Sequence, residues 1–434
     1  MAQEVIHVSL RNPLLKLLLI LLLVSAGVWS YFAVRWYLGD TLAEYFDPSG
    51  SNVDVARMAV SLAPNDPLTH WRTASVSQKN LPLDQQGLAI AEYEKAVSLS
   101  PNDYRFWMTL GTAYEEAGDT AKAEHALKRA VALAPSYSYP HWYLGNLFVR
   151  NGRYDEAFAE LRIAANADPE LLPQMFNLIW QVNSNDPASL QKAVGESTST
   201  RAQFAAYLVE QNHSEDGLRL WNGMSADQKK ANRTSGELII TALNQQYKYH
   251  NAVDVWNQIT DEKYHTEVGR VFDGSFEEAV NYDAETTFGW QVKGVRQVQI
   301  GIDPNRSHSG SRSLRFVFEV RGNIEPVNVL QLVPVQPGAT YDFECYVTTD
   351  KLQTASAPQI DILDATNNAV LVSSPMAPSG TNGWGRVSLS FKTAEKSEAV
   401  ILRIVRVSCN DKDTPVCPIF GTVWYDDFNI KRRN

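Results

Sequence analysis

Three cysteines in 434 residues are too few for a disulfide framework, and no Cys-x-x-Cys pair offers a zinc or thioredoxin-like site. The eight histidines are scattered, without His-x-x-x-His or His-Glu-x-x-His spacing, so metal hydrolysis has no motif behind it. Gly-x-Ser-x-Gly and Gly-x-x-x-x-Gly-Lys-Ser/Thr are also missing, which removes the common esterase and phosphate-loop signals. Positive charge is in deficit: 39 Lys plus Arg stand against 49 Asp plus Glu, a net charge of -10. A nucleic-acid binder needs a cationic face to neutralise phosphates, and the composition supplies no global one. What is present is ordinary globular usage, 44% hydrophobic and 20% charged, over a length that calls for several folded units.

Charge disappears altogether from Leu17 to Val34. About 18 helical residues cover about 27 Å, and Leu14 and Leu15 extend the run toward the ~30 Å hydrocarbon core of a bilayer. Lys16 marks one end; Trp29, Tyr31, Arg35, Trp36 and Tyr37 mark the other. A spanning helix over 14–37 is expected, with residues 1–13 as a cytoplasmic N-terminus. Arg11 and Lys16 precede the span while Asp40, Glu44 and Asp47 follow it, so the bulk is expected outside the cytoplasm, in the periplasm if the source is a Gram-negative bacterium. The rival reading is a cleaved signal peptide, for which Ser25-Ala26-Gly27 offers small residues. Residues 38–50 read as a linker.

A second regularity begins near residue 51. Ala89, Ala123 and Ala157 recur every 34 residues, as do Tyr93, Leu127 and Leu161, then Ala96, Ala130 and Ala164, then Pro101, Pro135 and Pro169. Within one unit, Trp107, Leu110, Gly111 and Tyr114 share a helical face, Gly118-Asp119 turns the chain, and Ala123, Leu127 and Ala130 form a second face before Pro135 ends it. These residues resemble the tetratricopeptide repeat pattern. The next unit repeats it with Leu144, Gly145, Phe148, Ala157, Leu161, Ala164 and Pro169, but has His141 where Trp is usual. The preceding unit carries an insertion near Leu81-Pro82-Leu83. Repeats are expected over 51–169 and degenerate helical repeats over 170–267, where two more hairpins are legible.

The resemblance implies that the first helix of each hairpin lines a concave surface for protein partners. By position, that surface carries Arg105, Met108, Thr112, Glu115, Tyr139, Trp142, Asn146 and Val149. For Tyr139 and Trp142, packing against an adjacent helix is the alternative.

From about 268 to 434 the period changes to two. Leu314, Phe316, Phe318 and Val320 alternate with Arg315, Val317 and Glu319, and six further strands are expected at 329–335, 341–348, 359–363, 386–391, 400–407 and 422–430. Many short strands without helices indicate an antiparallel β-sandwich, so the fold class is multidomain α plus β. Six islands, Asp273-Gly274-Ser275-Phe276-Glu277, Phe288-Gly289-Trp290, His308 to Leu314, Gln331 to Tyr341, Gly383-Trp384 and Trp424 to Phe428, resemble carbohydrate-binding modules with a galactose-binding-like jelly roll.

That resemblance implies a structural calcium, with Asp273, Glu277, Asp426 and Asp427 as ligands; the alternative is that they are turn and edge acids. It also implies a polysaccharide ligand, for which Trp290, Arg315, Glu319, Gln331, Arg403 and Arg406 are the candidates, with Trp384 and Trp424 at positions that are usually core. In an extracytoplasmic domain Cys409 and Cys417 can pair, stabilising by about 2.5 kcal/mol through loop entropy. Cys345 fits a buried strand. A glycosidase needs only two carboxylates, but Asp361 with Asp364 and Asp426 with Asp427 read more simply as turn acids or calcium ligands. The expected function is a non-catalytic, membrane-anchored scaffold whose repeats bind protein and whose sandwich takes glycan, in envelope polysaccharide assembly or export. A module binding protein alone and a glycan-active enzyme are the alternatives.

Overall fold

The computed structural model describes residues 13–45, 53–80, 86–183, 186–277, 287–293, 297–321, 328–406, 409 and 416–433. The N-terminal segment through residue 12 and the insertion at Leu81-Pro82-Leu83 lie outside them. The chain forms two compact units, Met1–Gly195 and Glu196–Asn434.

The first unit is helical. α1 (Pro13–Tyr45) is followed by α2 (Val53–Leu62), α3 (Pro67–Asn80), α4 (Gln86–Leu99), α5 (Tyr104–Glu116), α6 (Thr120–Leu133), α7 (Ser138–Arg150), α8 (Tyr154–Ala167), α9 (Leu172–Asn183) and α10 (Pro187–Val194). The expected boundary between span and linker is corrected here: residues 38–45 continue α1 as helix. The 34-residue period reappears as paired hairpins, α5 with α6 and α7 with α8. Asp103 caps α5 through the Arg105 N–H and Asp119 caps α6 through the Lys122 N–H. Gly118 and Gly152, one period apart, turn each hairpin at φ +81° and +71°, a region that favours glycine. A Cβ at Gly111 would lie 2.6 Å from Leu127 Cγ, and one at Gly145 2.7 Å from Leu161 Cγ, so the helices touch backbone to side chain there. Ala123, Leu127, Ala130, Ala157, Leu161 and Ala164 are fully buried between them.

The second unit joins helices to sheets. α11 (Thr198–Glu210), α12 (Ser214–Asn222), α13 (Ala226–Ala231), α14 (Arg233–Gln245) and α15 (Tyr249–Ile259) precede, among the described residues, ten strands: β1 (Gln291–Lys293), β2 (Val298–Asp303), β3 (Ser313–Val320), β4 (Asn328–Pro334), β5 (Thr340–Gln353), β6 (Gln359–Asp364), β7 (Val370–Ser373), β8 (Gly380–Lys392), β9 (Ala399–Val405) and β10 (Ile419–Arg432). All pairings are antiparallel, in one sheet ordered β1-β4-β9-β6-β7 and another ordered β2-β3-β10-β5-β8. Phe316, Phe318, Phe343 and Tyr425 from the second sheet meet Val329, Leu402 and Ile362 from the first in one core. The fold is thus tetratricopeptide-type helices plus a two-sheet β-sandwich.

The outer face of the first sheet is covered. Leu332 joins the helical core of Trp221, Ile239 and Trp256, where Phe288 packs edge-on against Trp256 with centroids 6.0 Å apart. Tyr249 packs on Ala365 and Ala399, and its hydroxyl donates to Ala365 O at 3.1 Å. Glu398 accepts the His250 N–H at 3.0 Å. Among the described residues of this unit, no helix covers the second sheet in this way.

Candidate functional site

Alternation along β3, β10, β5 and β8 sends every second side chain to the outer face of the uncovered sheet, and the register places them in rows. Arg315 on β3 pairs with Trp424 on β10, which pairs with Thr348 on β5. One step along, Asp426 pairs with Tyr346, which pairs with Arg386 on β8. The loop between β2 and β3 folds over these rows. Arg306 sets its guanidinium 4.2 Å from the Trp424 ring centroid and donates to Thr348 Oγ1 at 2.9 Å. His308 stacks on Tyr346 at 3.5 Å, 11° from parallel, and meets Trp384 edge-on at 5.7 Å. Tyr346 and Trp384 are half-buried and Arg386, Ser388 and Ser390 are exposed, so this face mixes aromatic and polar groups at the surface. Trp424 is 7% exposed, with Nε1 donating to Asp303 at 2.9 Å, and Arg315 reaches the same carboxylate at 3.4 Å.

The expected sugar-binding residues do not gather on one face. Trp290 is a core residue: its ring packs on Phe276 and Phe428, and Nε1 donates to Asp273 O. Gln331 is fully buried and makes a two-bond clamp on Phe272, accepting its N–H at 3.0 Å and donating to its carbonyl at 2.8 Å. Arg406 is buried and donates to Ser356 O and Cys417 O, each at 2.8 Å, with its guanidinium pKa lowered by burial. Those three are corrected from ligand contacts to structural ties, because a side chain closed off from water cannot meet a sugar. Arg403 pairs with Asp361 at 2.9 Å on the covered sheet. Only Arg315 and the exposed Glu319 lie on the open face. Tyr346, His308, Arg306 and Arg386 were missed. The outward parity of Tyr346 beside Glu344 was visible in the alternation; which sheet the helices cover was not.

Nor do the four expected calcium ligands converge. Among the described residues no three His, Cys, Asp or Glu side chains form a group that could hold a metal ion. The acids instead hold the loop after β2. Glu277 accepts from the Ser311 N–H and hydroxyl, both at 2.7 Å, and from the Arg312 N–H at 3.0 Å. Asp427 accepts from His308 Nδ1 and the Ser309 hydroxyl, each at 2.6 Å. Asp426 is buried, accepts the His308 N–H at 2.7 Å, and has its pKa raised to about 6 chiefly by that burial. Asp273 contributes its carbonyl to Trp290 and adopts a left-handed φ of +45°. A calcium cage wants six to eight converging oxygens, and this set does not fit one.

Cys409 and Cys417 are joined as a disulfide with Cα atoms 5.5 Å apart. Cys345 is free and buried, and burial pushes its thiol pKa up, so it is an inert core group. Of the acid pairs, Asp361 accepts from Gln359, Ser373 and Arg403, and Asp364 accepts the Thr366 N–H.

On the repeats, the first helices lie side by side. Trp71 Nε1 donates to Thr109 Oγ1 at 2.9 Å, and Arg150 Nη2 donates to Glu115 at 2.7 Å, bonds that join α3 to α5 and α5 to α7. Arg105 is exposed and paired with Asp103, Met108 and Val149 are partly buried against the repeat core, and Thr112 donates to Thr109 O. Tyr139 is 54% exposed, whereas Trp142 is half-buried and its carbonyl accepts from Asn146.

The tetratricopeptide repeat family model matches residues 87–138 and 108–171. Superkiller protein 3 of Schizosaccharomyces pombe (strain 972 / ATCC 24843) is 30% identical over 107 residues, which make up 24% of this chain and 8% of that protein. The chain therefore spans less than a tenth of that relative's length. A crystal structure of MamA is 19% identical, covers 32% of this chain and 79% of its own, and has a TM-score of 0.28. A structure titled "CBM4 structure and function" is 12% identical, covers 38% of this chain and 99% of its own, and also has a TM-score of 0.28. Repeats of the tetratricopeptide type are protein-interaction scaffolds, and that much follows for residues 87–171.

Proposed function

We propose that the chain is a non-catalytic scaffold held in a membrane by α1, binding a protein partner along α3, α5 and α7 and a polysaccharide on the open face of the sandwich. The observation that carries the glycan reading is the asymmetry of the sandwich: helices bury the outer face of one sheet, while the other keeps Tyr346 and Trp384 half-buried among Arg386, Ser388 and Asn382. Sugar rings offer C–H faces to aromatic planes and hydroxyls to fixed polar groups, and this face has both. α1 supports the anchor, since Pro13–Glu44 is long and apolar enough to cross a bilayer. With the bulk outside the cytoplasm, such a chain fits assembly or export of an envelope polysaccharide.

One observation favours a module that binds only protein. Arg306 already covers Trp424, and His308 already covers Tyr346 and meets Trp384 edge-on, so these rings are partly occupied by the chain itself. A polysaccharide panel applied to the detergent-solubilised full chain decides between them. Binding that Trp384→Ala and Arg386→Ala abolish supports the glycan reading. A folded chain that binds nothing on the panel supports the second. Turnover of any polysaccharide would displace both in favour of an enzyme.

A further inference from the structure

α1 does not stop where its apolar run stops. The charge-free stretch ends at Val34, yet the helix continues unbroken through Tyr45. Just past the run, every fourth residue faces the repeats. Arg35 Nη2 donates to Ser61 O at 2.7 Å, satisfying one of the last carbonyls of α2, where a cation also meets the negative end of the helix dipole. A Cβ on Gly39 would lie 2.7 Å from Ala63 Cβ and 2.9 Å from Ala59 O, so α1 and the end of α2 touch almost backbone to backbone. Ala43 is 1% exposed. Arg35, Gly39 and Ala43 form one stripe, and no hinge separates it from the apolar run.

The axial arithmetic then fixes a depth. Arg35 and Gly39 lie one and five residues beyond Val34, about 1.5 and 7.5 Å along the axis. The polar headgroup layer is roughly 5–7.5 Å thick on each side of the hydrocarbon, so both levels fall within it. We infer that the end of α2 and the turn into α3 are seated in the phospholipid headgroup layer. The groups turned outward there are Arg57, Met58, Ser61, Pro64 and Asn65, with Met58 56% exposed. An exposed thioether beside a cation suits a lipid interface, where the apolar part sinks and the charge stays wet. Tyr31, Trp36 and Tyr37 on α1 are aromatic residues of the kind enriched at the same level. The repeats thus start on the membrane surface and not on a flexible stalk.

This inference rests on α1 spanning a bilayer, and the test separates the two. The full chain is placed in phosphatidylcholine nanodiscs with a nitroxide on Met58→Cys or on Leu21→Cys. Cys345 is buried and the other two cysteines are bonded, so the label goes to the introduced thiol. Collisions with oxygen and with a water-soluble nickel chelate report depth. The expected result is Leu21→Cys deep in hydrocarbon and Met58→Cys at headgroup depth. Adding Gly39→Leu, or the milder Arg35→Ala, then exposes the Met58→Cys label to the nickel chelate. Bulk-water accessibility at Met58→Cys with Leu21→Cys still deep overturns the seat and leaves the span standing. Leu21→Cys in water overturns both. A Met58→Cys label indifferent to both stripe variants overturns the stripe as the cause.

Discussion

Three residues stand at one repeat position and show how a side chain can be exchanged without losing its bond. Trp107 Nε1 donates to Pro101 O at 2.8 Å; His70 Nε2 lies 2.9 Å from Pro64 O and His141 Nε2 lies 3.0 Å from Pro135 O. Each histidine has a second acceptor, Glu92 or Glu160, 2.6 Å from Nδ1, whereas Ala126 occupies the matching position in the tryptophan unit. A neutral imidazole has one N–H and cannot donate to both acceptors; an imidazolium can. The Glu92 hydrogen bond, the largest influence, holds the His70 pKa above its ordinary 6.5, against burial and the nearby Lys95 charge. A raised histidine pKa gives stability that is complete below pH 6.5 and is lost as pH rises through the higher folded value. The helical melting transition of the full chain should therefore fall between pH 6 and pH 8.5. Installing the tryptophan arrangement at the first of these positions, His70→Trp with Glu92→Ala, should flatten that dependence; an unchanged pH slope would refute the account. Trp290 and Trp384 make the complementary case on the sandwich. Trp290→Ala should lower stability by ~3–5 kcal/mol in denaturant unfolding, as core Trp truncations do. Trp384→Ala, at a half-buried position, should leave unfolding within about 1 kcal/mol and act on ligand binding instead.

Elements were legible where a period was written into them. The 34-residue recurrence placed α5 to α8, and alternation placed β3, β4, β6, β9 and β10 within about three residues of their observed ends, whereas β5 runs five residues past its expected end and β8 starts six before its expected start. Three strands escaped. β1 has three residues and β7 four exposed or half-buried ones, too few to show a pattern, and Gly301 interrupts the alternation of β2. The candidate site was less readable, because Gln331 and Arg406 look like surface polar groups in sequence and only the three-dimensional neighbours Phe272 and Cys417 make them internal. The same holds for the acids around the β2–β3 loop, whose partners lie more than thirty residues away. Since those carboxylates already accept the loop's N–H and O–H groups, a chelator such as EDTA should leave the melting temperature of the sandwich unchanged to within about 1 °C. Glu277→Ala, which hands two backbone N–H groups and a hydroxyl over to water at an exposed site, should lower stability by no more than about 1 kcal/mol. A chelator-induced drop of several degrees, reversed by calcium, would restore the metal that the geometry argues against.

At the scale of the molecule, the change of period near residue 268 is not where the second compact unit begins. Spacing marks where helices give way to strands, but compactness follows burial, and burial crosses that boundary. Trp256 on α15 packs on Phe288, Leu332 on β4 belongs to the helical core, and the Tyr249 hydroxyl and His250 N–H bond to Ala365 and Glu398 among the strands. Cutting at 268 would expose Phe288, Leu332 and Ile401 and leave Glu398 without its helix partner. At roughly 25 cal/mol per Å² of apolar surface, even 200 Å² newly exposed would cost about 5 kcal/mol, comparable to the whole stability of many domains. A fragment of residues 196–434 should therefore be soluble and unfold in one transition in which helical and sheet signals are lost together. The 268–434 fragment should aggregate, or melt well below it, while keeping the Cys409–Cys417 bond. Equal melting temperatures for the two fragments would mean that the helices merely rest on the sheet. In that case the asymmetry between covered and open faces would lose its force, since a displaceable cover would leave two faces, not one, free for a ligand.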